Sequence, residues 1–212
     1  MAERKILLEG GVGEYEEKKS RFIATLRPVR SVEEAAAFIE EMKKKYWDAR
    51  HNCSAFVIGK GNALTRCSDD GEPSGTAGRP MLDVLCGAEV RDAAVVVTRY
   101  FGGTLLGTGG LVRAYSQAVK EGLANSILAV EREGERLLLA MAYPDVDRVL
   151  RCLEEEGINP EKSDYGADVT MEVVCAREAA EGLCRKLTDI SAGRVLAESL
   201  GECVFLEREG IS

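Results

Sequence analysis

The chain has 212 residues, 45% of them hydrophobic and 30% charged, a balance that fits a soluble globular protein of one large domain or two small ones. No apolar run approaches the roughly 20 residues needed to cross a bilayer. The first stretch, MAERKILLEGGVGEYEEKKS, has neither the apolar core nor the cleavage-type site of a signal peptide, so a membrane role is not expected and the reading is cytoplasmic.

The elements follow in chain order. KKSRFIATLRPV (18–29) reads as a strand with a basic lead-in. Ser31 is placed to N-cap the next helix, with Glu34 completing a capping box. Ala35, Ile39, Met42 and Tyr46 make one face of that helix. NCSAFVIG (52–59) is a second strand. PMLDVLCG (80–87) is a short helix with Pro80 near its start and Gly87 past its end. AAVVVTRYF (93–101) is nearly continuously apolar, the pattern of a strand buried on both faces. In the helical stretch LVRAYSQAVKEGLANSIL (111–128), Leu111, Ala114 and Ala118 turn inward, with Tyr115 a further candidate. Arg113, Gln117 and Lys120 share the other face.

The charged VEREGER (130–136) reads as a linker. The domains expected are therefore residues 1–130 and 137–212, with 131–136 between them. In the second part, RLLLAMAY (136–143) is a strand and DVDRVLRCLEEEG (145–157) a helix stopped by Gly157. NPEKSDYG (159–166) and ADVTMEVVC (167–175) make a strand pair, in which Val169, Met171, Val173 and Cys175 alternate with polar residues. EAAEGLCRKLTDI (178–190) is a helix, and GRVLAESLGECVFLE (193–207) closes the chain with one or two strands. The order βαββαβ suggests a ferredoxin-like sandwich.

Charge separates the two parts. Residues 1–125 carry 18 Lys and Arg against 17 Asp and Glu, a balance of +1; residues 126–212 carry 10 against 19, a balance of −9. The acidic part is thereby argued out of general nucleic-acid binding, and a local basic patch remains open to the first. Seven cysteines occur, an odd number with no C-x-x-C pair. They read as buried free thiols in a reducing compartment rather than a disulfide framework or a zinc site.

Four stretches could carry chemistry. Between Tyr100 and the helix lie Gly102, Gly103, Gly107, Gly109 and Gly110, flanked by Arg99 and Arg113. A helix beginning near Gly109 or Gly110 would offer free N–H groups to an anion, with the arginines as charge-assisted partners. Tight packing of helix on sheet is the other reading, and neither phosphate-loop nor dinucleotide spacing is met. CSDDGEPSGTAGRPML (67–82) gathers Asp69, Asp70 and Glu72 near Arg79. It fits a Mg2+ site, a set of arginine-orienting carboxylates or a structured turn. His51, in DARHNCSAF (48–56), is the only histidine; it reads either as a general base or as a hydrogen-bonded structural residue. EEKKSRF (16–22) sets Lys18, Lys19 and Arg21 around an aromatic, either to contact phosphate and stack a base or as a solvated strand start.

Together, KKSRFIA, DARHNCSAFVIG, SDDGEPSGTAGRPML and VVVTRYFGGTLLGTGGLVRAYSQAV, in this order, resemble the YigZ/IMPACT family over about residues 15–125. The second part resembles the small C-terminal domain of the bacterial members. The resemblance implies an α+β protein of two domains. The first would share the fold of the second domain of ribosomal protein five of the small subunit, an α/β sandwich with helices on one side of the sheet; the second would be ferredoxin-like. It also implies an association with translation, with no established reaction and no cofactor. His51, Asp69, Asp70, Glu72, Arg79, Arg99, Tyr100, Gly102, Gly103, Gly107, Gly109, Gly110 and Arg113 match the signature and are expected to gather in one cleft.

Three functions remain open at this point. The first is a regulator binding RNA or the ribosome through basic residues and a stacking Tyr100 or Phe101, without DNA sequence specificity, its acidic domain meeting a protein partner. The second is a Mg-dependent enzyme acting on a phosphorylated small molecule or nucleotide, with Asp69, Asp70 and Glu72 on the metal and His51 moving protons. The third is a protein-interaction module.

Overall fold

A computed structural model describes residues 5–59 and 63–208. The chain divides into two compact units, one reaching Val130 and the other spanning Glu131–Glu207. The class is α+β. In order, the first unit holds β1 (Lys5–Glu9), β2 (Val12–Glu17), β3 (Ser20–Pro28), α1 (Val32–Lys45), β4 (His51–Ile58), β5 (Leu64–Ser68), α2 (Gly78–Gly87), β6 (Val90–Arg91), β7 (Ala93–Tyr100) and α3 (Gly107–Ala124). Strand β8 (Ile127–Met141) begins in this unit and continues into the second, which adds α4 (Val146–Glu155), β9 (Lys162–Tyr165), β10 (Val169–Ala176), α5 (Ala180–Ser191) and β11 (Leu196–Arg208).

The main sheet of the first unit runs β2-β3-β7-β4-β5, with β7 at its centre. Pleating sends alternate residues of β7 to opposite faces. Ala93, Val95 and Val97 pack with α2 and α3, joined by Phe22, Ala24 and Leu26 of β3. Ala94 and Val96 pack with Phe38 and Met42 of α1 on the other face. The expectation of helices on one side is corrected here. The apolar run 93–97 is buried on both faces because a helix layer covers each.

Helix α1 starts as expected. Ser31 Oγ accepts the Glu34 N–H at 3.1 Å, but Glu34 answers the Arg30 N–H at 2.7 Å, one residue before the cap. Four strands carry no clear sequence signal, β6 being only two residues long. β1 and β2 lie in the acidic, glycine-rich start, and every residue of β5 is exposed, so no alternation marks it. Cys67 and Cys86 are exposed, against the expectation of buried thiols.

In the second unit the strands run β11-β8-β10-β9, and the element order is the ferredoxin-like βαββαβ. Leu137, Leu139, Met171 and Val173 bury one face under Val149 and Leu153 of α4 and Leu183 and Leu187 of α5. The expected linker is corrected as well. Gly134, Glu135 and Arg136 are strand, paired with Ala176, Cys175 and Val174 of β10. Their charge describes side chains left facing water, whereas the backbone ladder that makes them strand leaves no mark in composition.

Phe38 is 1% exposed and is the largest buried side chain anchoring α1 to the sheet. Phe38→Ala is expected to cost about 3–5 kcal/mol in urea unfolding. A loss below about 1 kcal/mol would show that the α1 face is not a packed layer.

Candidate functional site

The site grows from the end of β7. Arg99 continues the row of Ala93, Val95 and Val97, so it faces α2 and α3. It lies in register with Phe22 of β3 on one side and His51 of β4 on the other. Arg99 is only 7% exposed. Its Nη1 donates to Glu72 Oε1 at 2.6 Å, and the Tyr115 hydroxyl of α3 donates to the same oxygen at 2.8 Å. Cys53 Sγ lies 3.3 Å from that hydroxyl and 3.0 Å from the Asp69 carbonyl. Burial pushes the Cys53 thiol up to about 12 and drives the Tyr115 phenol upward too, so both stay neutral hydrogen-bonding groups. The Arg99 guanidinium carbon sits 5.5 Å from the Phe22 ring centre and 5.7 Å from that of Phe101, and Nε is buried with no partner.

The loop after β5 is held by its own carboxylates. Asp69 Oδ1 accepts the N–H groups of Ala77 and Gly78 at 3.0 and 2.8 Å, and Oδ2 accepts that of Gly75 at 2.8 Å. Asp69 thus caps α2, which has no side-chain cap from its own N-cap residue, Ala77. Burial alone would raise this carboxyl; the three N–H bonds outweigh it and hold the group below its ordinary value. Asp70 and Gly71 both take left-handed backbone, φ +43° and +87°. This turns the Asp70 carbonyl toward His51 Nδ1 at 2.9 Å. A carbonyl only accepts, so Nδ1 carries the hydrogen of this bond. Asp70 Oδ2 accepts the Asn52 N–H at 2.7 Å, and Oδ1 lies 3.5 Å from Lys43 Nζ.

The glycine stretch has separate uses along its length. A Cβ on Gly102 would stand 2.0 Å from the Lys19 carbonyl carbon, and the Gly102 N–H donates to Ser20 Oγ, so this glycine packs the loop onto the β2–β3 turn. Gly107 opens α3 at φ +71°, earlier than the sequence suggested; its N-cap residue, Leu106, has no side-chain cap, and no other described side chain bonds this N-terminus. Beside it lies a cavity of about 470 Å³. Its polar wall is Arg50, His51, Glu72, Arg99 and Thr108; its apolar wall is Pro73, Phe101, Leu105, Leu106 and Leu111.

Of the residues expected in one cleft, His51, Glu72, Arg99 and Gly107 line this cavity. The others fall elsewhere. Asp69 and Asp70 brace the loop as described. Arg79 is exposed and pairs with Asp83 at 2.8 Å. Tyr100 follows Arg99 and so points to the α1 face, where its hydroxyl donates to Asp48 at 2.9 Å. Gly103 is exposed at φ +87°; Gly109, Gly110 and the exposed Arg113 belong to the first turns of α3. Among the described residues no group of three or more His, Cys, Asp or Glu is placed to hold a metal ion. The sequence reading missed Arg50, Leu105, Leu106 and Thr108. An apolar Leu105-Leu106 pair close to Phe101 inside a glycine loop was the available signal, since contiguous exposed apolar side chains, unlike isolated ones, mark binding grooves.

Residues 18–123 match the Impact N-terminal domain, and residues 139–194 match a domain of unknown function, DUF1949. The chain is 40% identical over 201 residues to the IMPACT family member YvyE of Bacillus subtilis, covering 94% of this chain and 92% of that protein. It is 39% identical over 178 residues to the IMPACT family member YigZ of Escherichia coli, covering 83% and 87%. A crystal structure of a hypothetical protein, 35% identical, aligns with a TM-score of 0.59 over 95% of this chain and 98% of that one.

Because the folded Asp69 value is depressed, its contribution to stability is complete above the ordinary carboxylate value of 3.8 and is lost as pH falls through the lower folded value. Asp69→Asn should cost about 0.5–2 kcal/mol at neutral pH and should flatten the acid limb of stability against pH. An unchanged acid limb would remove Asp69 from the cap role.

Proposed function

The chain belongs to the IMPACT family, and from that membership we propose a cytoplasmic, translation-associated regulator that binds RNA, free or on the ribosome, through the Arg99 cavity. One observation carries this reading. The N-terminus of an 18-residue helix is left without a side-chain cap beside a buried guanidinium whose Nε has no partner. A helix start bears about half a positive charge and several free N–H groups, which suits a phosphate oxygen. Arg50 stands exposed in the same wall and makes no ion pair with a described residue. Phosphate attraction of this kind is independent of sequence and weakens with salt.

The acidic second unit is unsuited to RNA and is assigned here to a protein partner. No described helix is long and apolar enough to cross a membrane. A magnesium-dependent reaction has less support, because the carboxylates of Asp69 and Asp70 serve backbone N–H groups and Lys43 rather than the cavity.

Thr108, exposed in the first turn of α3, separates binding from folding. Thr108→Glu places a carboxylate where the phosphate would sit, and a negative charge there favours the helix by about 0.3–1 kcal/mol. Co-sedimentation with ribosomes at low and moderate salt, and titration with ribosomal RNA fragments, should show salt-sensitive binding by the wild type. The variant should bind at least about tenfold more weakly, close to the 1.4 kcal/mol that defines a tenfold change, with an unchanged or higher melting temperature. Equal binding by a folded Thr108→Glu would place the RNA elsewhere.

A further inference from the structure

A phosphate explains only half of the cavity. Phe101 is 53% exposed and Leu105 82% exposed, and together with Leu106, Leu111 and Pro73 they make a wall that offers an anion nothing. The same cavity is lined by Glu72, whose Oε1 is taken by Arg99 and Tyr115, while Oε2 receives no donor from any described residue. A ligand that satisfies the whole cavity therefore needs three parts. It needs an anionic oxygen for the α3 N-terminus, a flat apolar body for the Phe101–Leu105 wall, and an N–H donor for Glu72.

We infer that the cavity takes one unstacked nucleotide of a single-stranded RNA, with a base that carries an exocyclic amino group. This rests on the RNA reading above and narrows its ligand. A ring stacked on Phe101 uses the apolar wall, as bases do on aromatic side chains in single-strand binding. The base must be unpaired, because a duplex holds its Watson–Crick edge away from the protein. Adenine, cytosine and guanine present amino N–H groups to Glu72. Uracil presents a single N–H flanked by two carbonyl oxygens, which a carboxylate repels. Cytosine, adenine and guanine strands are therefore favoured over uracil strands.

The test is fluorescence anisotropy with labelled short RNAs of adenine, cytosine or uracil alone and a duplex of the same length, on the full chain. Wild type should bind the adenine and cytosine strands about tenfold or more tighter than the uracil strand, and tighter than the duplex by a similar factor. Leu105→Ala removes an exposed side chain, so folding is not at risk; it should weaken the adenine and cytosine strands by about threefold to tenfold, the size of a lost apolar contact beside the stacked ring. Glu72→Gln, whose amide can also donate to a uracil oxygen, should bring the base preference to within about twofold. If Glu72→Gln fails to fold by circular dichroism, the base series on wild type and Leu105→Ala still decides. Equal binding of all strands and the duplex overturns the nucleotide inference and leaves RNA binding standing. Absence of any RNA binding overturns the RNA reading itself. Binding of adenosine and cytidine monophosphates without binding of the strands overturns the strand as ligand.

Discussion

The buried pair between Arg99 and Glu72 sets the geometry of everything around it. Two charges drawn out of water lose several kcal/mol of hydration each, and a 2.6 Å contact offsets this only when neighbours satisfy what remains. The Tyr115 hydroxyl supplies one such neighbour, and the Phe22 and Phe101 rings flank the cation. The pair thereby joins the end of β7, the loop after β5 and the middle of α3, three segments far apart in sequence. Once Glu72 is fixed, the rest of its loop follows. Asp69 is set against the start of α2, and the Asp70 carbonyl is set against His51. Truncating either member would leave a lone buried charge, at about 3–5 kcal/mol, so loss of binding on removing Arg99 would mix a folding defect with a contact defect.

The same pairing decides how the cavity handles charge. Glu72 offsets most of the Arg99 charge, so the attraction for an anion rests on Arg50, the α3 N-terminus and the one Arg99 N–H that has no partner. The three helices of the first unit differ in how their starts are used. Ser31 caps α1, and the Asp69 carboxylate caps α2 from the preceding loop. α3 begins on glycines, with no side chain returned to its N–H groups. A partial charge supplied by backbone dipoles attracts phosphate weakly and over a short range. Under the RNA reading proposed above, selectivity would rest on the apolar wall and on Glu72 more than on gross charge. The −9 balance of residues 126–212 disfavours polyanions on that part of the chain.

Much of the fold was legible because periodicity reports burial. The run from Ala93 to Val97 announced a two-faced strand, and the alternation at Val169–Cys175 announced the second core. There the residues were a better guide than the family likeness, which implied helices on one side. The site was less legible, because its logic is long-range. Arg99 and Tyr100 are adjacent in sequence and share a signature, yet pleating puts them on opposite faces, and the alternation that buries Val95 and Val97 could have separated them. Asp69, Asp70 and Glu72 look alike in sequence, but each meets a different partner: backbone N–H groups, a lysine with a backbone N–H, and an arginine with a tyrosine. Nothing within four residues distinguishes them. Tyr115 read as one more inward residue of α3, since a single hydroxyl leaves no trace in a helical pattern.

The basic stretch at Lys18 and Lys19 shows how backbone and charge requirements part company. These residues form the two-residue turn between β2 and β3, at φ +48° and +65°. Asparagine and glycine take that turn with little strain, whereas a lysine in left-handed backbone costs roughly 1–2 kcal/mol. The turn's shape is needed, because the Lys19 backbone is packed against Gly102 so closely that no Cβ fits between them. Its lysines are not needed for that shape. Geometry therefore explains the turn and leaves the residue type unexplained: both lysines are exposed, on a turn whose Lys19 backbone packs against Gly102. Under the RNA reading proposed above, a strand leaving the cavity would give those charges a use that folding alone does not.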